Sequence, residues 1–335
     1  MTTSMAPADA AGRHDEAPSS RLLEVTDLTT TFRTPRGPLV AVDGVSLSLD
    51  RGETLGVVGE SGSGKTVLSR SIMGLVPGRT TTLAGSVCFD GHELVGAPDR
   101  LLRERWGAHI AMVFQDPMAS LNPTKRIGTQ IAESLRLHLK LSRHDAKTSA
   151  VTLLTQVGIP SPELRARQYP VQLSGGMRQR VMIAIAISCG PKLLLADEPT
   201  TGLDVTIQAQ ILDLLGELQR IRQMAMILVT HDLGVVATRT DRIMVMYAGR
   251  VVELAPTRRL FANVRMPYTE ALLRSTPRLA DKSHTRLNAI DGRPPDLVDP
   301  PVGCAFAARC AYAKDKCRAE APPLTTDPGD PDHAY

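Results

Sequence analysis

The stretch Gly59-Glu60-Ser61-Gly62-Ser63-Gly64-Lys65-Thr66 matches the pattern G-x-x-x-x-G-K-[ST] at every fixed position. It follows the apolar run TLGVV and leads into TVLSRSIMGL, so it predicts a strand, a glycine-rich loop and a helix. Glycines allow backbone N–H groups to face phosphate oxygens, and the N-terminus of the next helix adds a favourable dipole. In such a loop the lysine reaches the β- and γ-phosphates, and the Thr66 hydroxyl binds Mg²⁺. The stretch therefore predicts a site for a nucleoside triphosphate.

The sequence around this loop indicates an α/β fold. Two β-rich runs, 22–32 and 39–49, are separated by a turn that contains prolines and a glycine. The segment 100–164 has apolar residues at helical spacing, which predicts mostly helices that face a core. Three short apolar segments alternate with helical stretches further along, as is typical of buried parallel strands. They are Leu193–Ala196, Met224–Val229 and Ile243–Ala248.

Composition excludes several classes of protein. The chain has 335 residues, a formal net charge of +4 and 3% aromatic residues. It has neither the concentrated basic face nor the stacking rings of a nucleic-acid binder, so no nucleic-acid partner is expected. The longest apolar run, Val181–Ile187, is far shorter than the about 20 residues of a membrane-spanning helix.

A change in composition near Leu260 divides the chain. We predict a disordered cytosolic tail over 1–20, because this stretch lacks the pattern of a signal peptide. A nucleotide-binding domain is predicted over 21–260, and a proline-rich C-terminal extension that carries three cysteines over 261–335.

Polar side chains stand at the ends of the predicted strands. Asp197 and Glu198 follow the apolar strand LLLA, which allows Asp197 to reach the Mg²⁺ shell and Glu198 to orient or deprotonate the attacking water. His231 follows the strand MILVT, so we expect it to face the γ-phosphate rather than to be an ordinary surface or core histidine. Gln115 follows the apolar run AMVF, which by itself indicates nothing specific.

A second anion-binding element lies in LSGGMRQR, 173–180. Ser174 caps an apolar helix, and Gly175 and Gly176 leave the N–H groups of its positive end exposed. One chain therefore carries two phosphate-binding elements. Either it binds two phosphate groups, or two copies share one ligand.

The motifs together resemble the ATP-binding cassette (ABC) superfamily over Leu22–Leu260. They occur in the order GESGSGKT, Gln115, LSGGMRQR, LLLADE, TGLD and VTHD. FQDPMASLNP, DEPTTGLDVTIQAQIL, PYTEALL and the cysteine-bearing tail are similar to the dipeptide/oligopeptide importer subfamily, and nickel importers share these features. The resemblance implies a P-loop nucleotide-binding domain with a mixed sheet, a helical subdomain, an antiparallel β subdomain and a small C-terminal extension.

The resemblance also implies roles for residues. Two cassettes pack head to tail, and Ser174–Gly176 of one closes over ATP bound at Gly59–Thr66 of the other, which would explain the two anion-binding elements. Asp197, with Thr66 and Gln115, would hold Mg²⁺. Glu198 would be the catalytic base, and His231 would sense the γ-phosphate.

Two further positions follow from the resemblance. Asp204, in TGLD, would lie at the seam of the dimer. Phe32 would stack on adenine, and the less favoured alternative is an ordinary strand aromatic.

By the same resemblance, the chain would be the ATPase subunit of an importer of di- or oligopeptides, or of nickel or another small solute. It would sit peripherally on the cytoplasmic face of the membrane with a second ATPase, identical or a paralogue, and two permease subunits. A solute-binding protein outside the membrane would act indirectly. Two other classes are less favoured: a redox-responsive regulatory subunit, and a soluble ATPase of chromosomes, DNA repair or ribosomes. Against the latter, no heptad run separates Lys65 from Ser174, and the chain has one cassette.

Cys304, Cys310 and Cys317 form a cluster in the proline-rich tail. Disulfides are disfavoured in a cytosolic chain, and clustered thiolates are more often metal ligands. The resemblance implies a [4Fe-4S] cluster, which normally takes four cysteines. Zinc or inert thiols are the alternatives. For the cluster, either the sequence is truncated at Tyr335, or His333 or an outside ligand completes the site.

Overall fold

The computed structural model describes residues 20–76, 78, 80–275 and 290–335. The predicted N-terminal tail lies outside these residues except for Ser20. Within the described ranges, no helix is both long and apolar enough to cross a bilayer.

Twelve strands and twelve α-helices follow one another along these ranges. The strands are β1 Arg21–Thr34, β2 Gly37–Asp50, β3 Thr54–Val58, β4 Thr81–Phe89, β5 His92–Glu93, β6 Ile110–Val113, β7 Leu193–Asp197, β8 Ala225–Thr230, β9 Arg242–Tyr247, β10 Arg250–Pro256, β11 Thr326–Asp327 and β12 Asp330–Ala334. The helices are α1 Lys65–Ile72, α2 Asp99–Arg105, α3 Pro117–Ser120, α4 Ile127–His138, α5 Arg143–Gln156, α6 Pro162–Ala166, α7 Gly175–Ile187, α8 Val205–Arg222, α9 Leu233–Arg239, α10 Thr257–Ala262, α11 Pro267–Ser275 and α12 Asp315–Ala319. Short 3₁₀ turns cover Pro170–Gln172 and Ala307–Arg309.

The strands form two sheets. An antiparallel sheet has the order β2-β1-β4-β5, and a larger mixed sheet has the order β11-β12-β10-β9-β3-β8-β7-β6. In the mixed sheet, β9, β3, β8, β7 and β6 are parallel, whereas β10, β12 and β11 are antiparallel additions. Helices α4–α7 pack together beside the sheet. The predicted α/β fold, with a mixed sheet, an antiparallel β subdomain and a helical subdomain, is confirmed.

Buried apolar strands place the site at one edge of the mixed sheet. Every residue of β3, β7 and β8 is buried, which is why these segments are apolar without alternation. The segment 100–164, predicted to be mostly helical, also contains the parallel strand β6. A four-residue apolar run cannot be assigned to a strand or a helix from periodicity, and pairing with β7 decides it here.

Three apolar clusters hold these layers together. One joins the helical subdomain to one face of the mixed sheet, and a second joins the antiparallel sheet to the other face. The third packs α9–α11 and the cysteine-bearing segment around Phe306 against β9 and β10. The C-terminal extension therefore shares a core with the sheet that carries the site.

The end of the chain returns to this sheet. Leu254 in β10 pairs with Ala334 in β12. Beside this pair, His333 is 1% exposed, and its Nε2 lies 2.7 Å from Oε1 of the fully buried Glu253. A buried carboxylate requires such a partner, so this contact fastens the extension to the core.

We expect His333→Ala to lower the free energy of unfolding by about 3 kcal/mol, because it leaves the buried Glu253 carboxylate without its histidine. Urea unfolding followed by circular dichroism measures this change. Asp332→Ala is the matched control, because the neighbouring Asp332 side chain is 68% exposed. Equal losses in the two variants would show that the buried pair does not stabilise the fold.

Candidate nucleotide site

Two glycines of the loop between β3 and α1 lie where the structure has no room for a side chain. Gly59 has φ +156°, and a Cβ there would lie 2.2 Å from the carbonyl oxygen of Met246. Gly64 has φ +101°, and a Cβ there would lie 2.4 Å from the carbonyl oxygen of Ala41. The loop backbone therefore packs directly against β9 and β2, and this close packing fixes its conformation.

Lys65 is held inside this loop. It is 4% exposed, and its Nζ donates to the carbonyl oxygens of Gly59 and Glu60, each at 2.8 Å. Burial lowers the pKa of Lys65, and the carboxylates of Glu198 and Asp197 oppose that shift. The ammonium group is therefore placed for an anionic ligand before the ligand arrives.

Thr66 and Asp197 bring two hard oxygen atoms together. Thr66 Oγ1 donates to Oδ1 of Asp197, the last residue of β7, at 2.9 Å. Burial raises the pKa of Asp197, which is 1% exposed, and the Thr66 hydrogen bond partly offsets this. Hydroxyl and carboxylate oxygens are the ligands that Mg²⁺ prefers, so this pair fits the predicted ion.

Glu198 lies at the centre of a small polar cluster. Its Oε2 accepts from Thr201 Oγ1 at 2.9 Å and Gln115 Nε2 at 3.2 Å, and lies 3.4 Å from His231 Nδ1. Its φ of +44° is uncommon for a residue with a side chain, and such strain is concentrated at functional positions. The structure thus brings Gln115, Glu198 and His231 together, with the Gln115 amide on Glu198.

The charges in this cluster support each other. The neighbouring His231 imidazole lowers the pKa of Glu198 below its ordinary value, and the hydrogen bond from Thr201 adds to the effect. The contact between Glu198 and His231 also raises the pKa of His231 above its ordinary value. Glu198 is therefore ionised at neutral pH, as a general base must be.

Most of the side chains of this site line one pocket of about 700 Å³, whereas the buried Asp197 is not part of its lining. Phe32 lies half-buried on one wall, where the sequence predicted a ring for adenine, and Leu39 pairs with it across β1 and β2. The lining residues are Phe32, Leu39, Ala41, Ser61, Gly62, Gly64, Lys65, Thr66, Val67, Gln115, Glu198, His231 and Leu297. Ser63 lies just behind the lining, 4% exposed, with its Oγ 3.4 Å from Lys65 Nζ.

Ser174–Gly176 and Asp204 are not among the described residues that line this pocket. Ser174 is exposed and caps α7 by accepting from the backbone N–H of Met177, and Asp204 caps α8 through Ile207. The two segments lie together, because a Cβ at Gly176 would be 2.8 Å from Ile207 Cγ2. The second anion-binding element therefore faces outward.

Sequence reasoning missed contributions from the C-terminal extension. Leu297 lines the pocket, Tyr268 accepts a hydrogen bond from the backbone N–H of Glu60, and Arg309 pairs with the Glu60 carboxylate. No local pattern marks these residues, because Arg309 and Glu60 are 249 positions apart.

The three cysteines of the extension lie close together. The backbone N–H of Cys304 donates to the carbonyl oxygen of Cys317 at 2.7 Å. Burial raises the pKa of the Cys304 thiol, and Cys310 and Cys317 act in the same direction. Across the described ranges, no group of three or more His, Cys, Asp or Glu side chains is arranged to hold a metal ion. The thiols as placed do not fit a cluster, and His333, the candidate fourth ligand, is bonded to Glu253.

Removal of the Thr201 hydroxyl tests whether its hydrogen bond lowers the pKa of Glu198. We expect Thr201→Val to raise the pKa of Glu198, because the variant loses a donor that holds it down. The carboxylate is then protonated at a higher pH, so the acid limb of the ATPase rate profile moves upward. At neutral pH the carboxylate stays ionised, and we expect a loss of about three- to tenfold in kcat because the lost hydrogen bond no longer orients Glu198.

The pH dependence of kcat, measured from about pH 3.5 to 8 so that it covers the titration of a carboxylate, checks this expectation. Thr200→Val is the matched control, since Thr200 makes no hydrogen bond to Glu198. An acid limb that stays in place in Thr201→Val would contradict the assignment.

Fold and pocket together define a P-loop ATPase with an ATP-binding cassette. The ABC transporter family profile matches residues 42–201, and the profile of the oligopeptide/dipeptide transporter C-terminal region matches residues 252–317. The chain belongs to the ABC transporter family, with a C-terminal region of the oligopeptide/dipeptide transporter type.

Relatives and solved structures agree with this assignment. The chain is 51% identical over 306 residues to the oligopeptide transport ATP-binding protein OppD of Bacillus subtilis, covering 91% of this chain and 86% of that protein. It is 50% identical over 305 residues to the dipeptide transport ATP-binding protein DppD of Escherichia coli, covering 90% and 92%. The dimeric ATP-binding cassette MJ0796, bound to ADP and Pi, superposes with a TM-score of 0.64 at 28% identity, covering 71% and 99%.

Proposed function

We propose that this chain is the ATP-hydrolysing subunit of an importer that takes up di- or oligopeptides. The observation that carries the proposal is the single pocket in which Lys65, Thr66 and Glu198 meet, in a chain whose C-terminal region is of the peptide-transporter type. The OppD and DppD relatives, about half identical over most of the chain, support peptides as the solute.

The pocket supports the following roles. Lys65 and the N–H groups of the glycine-rich loop bind the β- and γ-phosphates, and Phe32 stacks on the base. Thr66 and Asp197, with Gln115 nearby, would hold Mg²⁺, and the ion would supply positive charge to the phosphates. These residues orient the nucleotide, with its phosphate end beside Glu198.

Glu198 then acts as the general base. Its carboxylate accepts a proton from the attacking water, and Thr201, Gln115 and His231 fix the direction in which it faces. His231 is 64% exposed at the mouth of the cluster, a position suited to contact with the γ-phosphate.

A second cassette completes the site in this proposal. The outward-facing Ser174–Gly176 segment closes over ATP held by the partner, and Asp204 lies at the seam. The dimeric cassette MJ0796, bound to ADP and Pi, supports the pairing of two cassettes. Two permease subunits would hold the pair at the cytoplasmic face of the membrane, and an extracytoplasmic solute-binding protein would deliver the solute to them.

Reconstitution with the natural membrane subunits tests the proposal. ATP-driven uptake of labelled di-, tri- and pentapeptides into vesicles is expected, and Lys65→Ala should abolish it. Uptake of Ni²⁺ in place of peptides would overturn the solute, and ATP hydrolysis with no uptake of any solute would overturn transport.

The iron–sulfur cluster implied by the resemblance stays a separate hypothesis. Three thiols are present where a four-iron cluster takes four ligands, and their arrangement gives it no support. Iron and acid-labile sulfide assays on anaerobically purified protein decide the matter. A colourless, iron-free preparation would end the hypothesis, and stoichiometric iron and sulfide would establish it.

A further inference from the structure

The C-terminal extension reaches the outer side of the phosphate-binding loop. Arg309 donates from Nη1 to Glu60 Oε2 at 2.6 Å and from Nη2 to Glu60 Oε1 at 2.9 Å. Glu60 is the second residue of the loop, and Arg309 belongs to the cysteine-bearing segment. A bidentate pair of this kind fixes direction as well as distance.

Arg309 is itself held rigidly. Its side chain is 3% exposed, and it also donates to the carbonyl oxygens of Ile290 and Asp291 and to Tyr247 Oη. Its guanidinium lies 5.9 Å from the ring centres of Tyr247 and Phe306. Because so many partners hold its guanidinium, Arg309 has a fixed position and does not behave as a mobile surface charge.

The backbone of Glu60 is anchored by the same extension. Its N–H donates to Tyr268 Oη at 2.8 Å, and its carbonyl oxygen accepts from Lys65 Nζ at 2.8 Å. Tyr268 is fully buried, and its ring centre lies 4.4 Å from that of Tyr247. The backbone N–H, the carbonyl oxygen and the carboxylate of Glu60 therefore all have hydrogen-bond partners. Two of these partners, Arg309 and Tyr268, lie outside the predicted nucleotide-binding domain.

We propose that Arg309 is a positioning residue for ATP: it holds the phosphate-binding loop in shape through Glu60 and neutralises the carboxylate that this loop carries. A free carboxylate in a phosphate-binding loop repels the phosphates, since like charges in a partly buried site interact strongly. The inference rests on the assignment of the loop under the proposed function.

Binding of MgATP to the full-length chain, measured by isothermal titration calorimetry, tests the inference. Arg309→Gln should raise the Kd about tenfold, because it frees the Glu60 carboxylate and releases the loop. Glu60→Gln/Arg309→Gln should return the Kd to within about threefold of the parent value, because no free charge is left and the two amide side chains can still hydrogen-bond to each other. Loss of folded protein alone would reduce the number of binding sites and would not produce rescue by a second substitution.

Two controls separate the outcomes. Arg259→Gln removes an ion pair to Asp330, away from the loop, and should leave the Kd unchanged. Lys65→Ala should abolish binding; if it does not, the loop assignment itself fails. If Lys65→Ala loses binding while Arg309→Gln stays within about threefold of the parent, or the double variant binds no better than Arg309→Gln, this inference alone is overturned.

Discussion

Glu198→Gln is expected to lower the rate of ATP hydrolysis by at least about a hundredfold while MgATP still binds. An amide has nearly the same size as a carboxylate and still accepts a hydrogen bond from Thr201, so the cluster keeps its shape. What it loses is the ability to take a proton from water. The left-handed backbone at this position, with φ +44°, demands no more of glutamine than of glutamate, because both have the same unbranched Cβ.

Single-turnover hydrolysis and equilibrium binding, measured on the assembled complex, separate the two effects. Glu217→Gln is the matched control, because it removes an exposed carboxylate of α8 that does not line the pocket. We expect the parent rate for that control. Retained hydrolysis in Glu198→Gln would remove Glu198 from the role of base.

The sequence predicted those parts of the site that lie in short, continuous motifs. The glycine-rich loop, Asp197 with Glu198, and His231 each follow a buried strand, and parallel strands deliver their carboxyl ends to one edge. Adjacency at that edge is a property of the fold class, so it could be predicted once the strands were recognised.

Contacts between distant segments could not be predicted in this way. Leu297, Tyr268 and Arg309 reach the site from the extension, and a proline-rich stretch has no periodicity that indicates where it packs. Likewise, Thr201 stands in a motif that the sequence associates with the dimer seam, and only the turn after β7 brings its hydroxyl onto Glu198.

The role of His333 also could not be predicted from the sequence. The sequence placed His333 among possible metal ligands because histidine and cysteine share that chemistry. Antiparallel pairing of β10 with β12 instead puts His333 against Glu253, where it satisfies a buried carboxylate. A residue's chemistry alone therefore did not decide its role; the strand pairing did.

Ser174→Arg is expected to abolish ATP hydrolysis in the assembled complex, by about a hundredfold or more, and to leave MgATP binding by the isolated chain within twofold of the parent. Ser174 is exposed at the N-terminus of α7 and does not line the pocket of its own chain. If the segment acts on nucleotide held by a partner, a bulky cation there blocks closure of the dimer and leaves the chain's own pocket untouched.

Ser142→Arg is the matched control, because Ser142 caps α5 in the same way as Ser174 caps α7. Both serines are exposed, and the Oγ of each accepts a hydrogen bond from the backbone N–H of the third residue of its helix. Loss of either cap costs about 1 kcal/mol, so the two variants share whatever effect destabilisation has on the rate. Hydrolysis should therefore survive in Ser142→Arg and be lost in Ser174→Arg. A weaker Kd for the isolated Ser174→Arg chain would instead indicate that the segment serves its own pocket, in which case the head-to-tail arrangement would have to be abandoned.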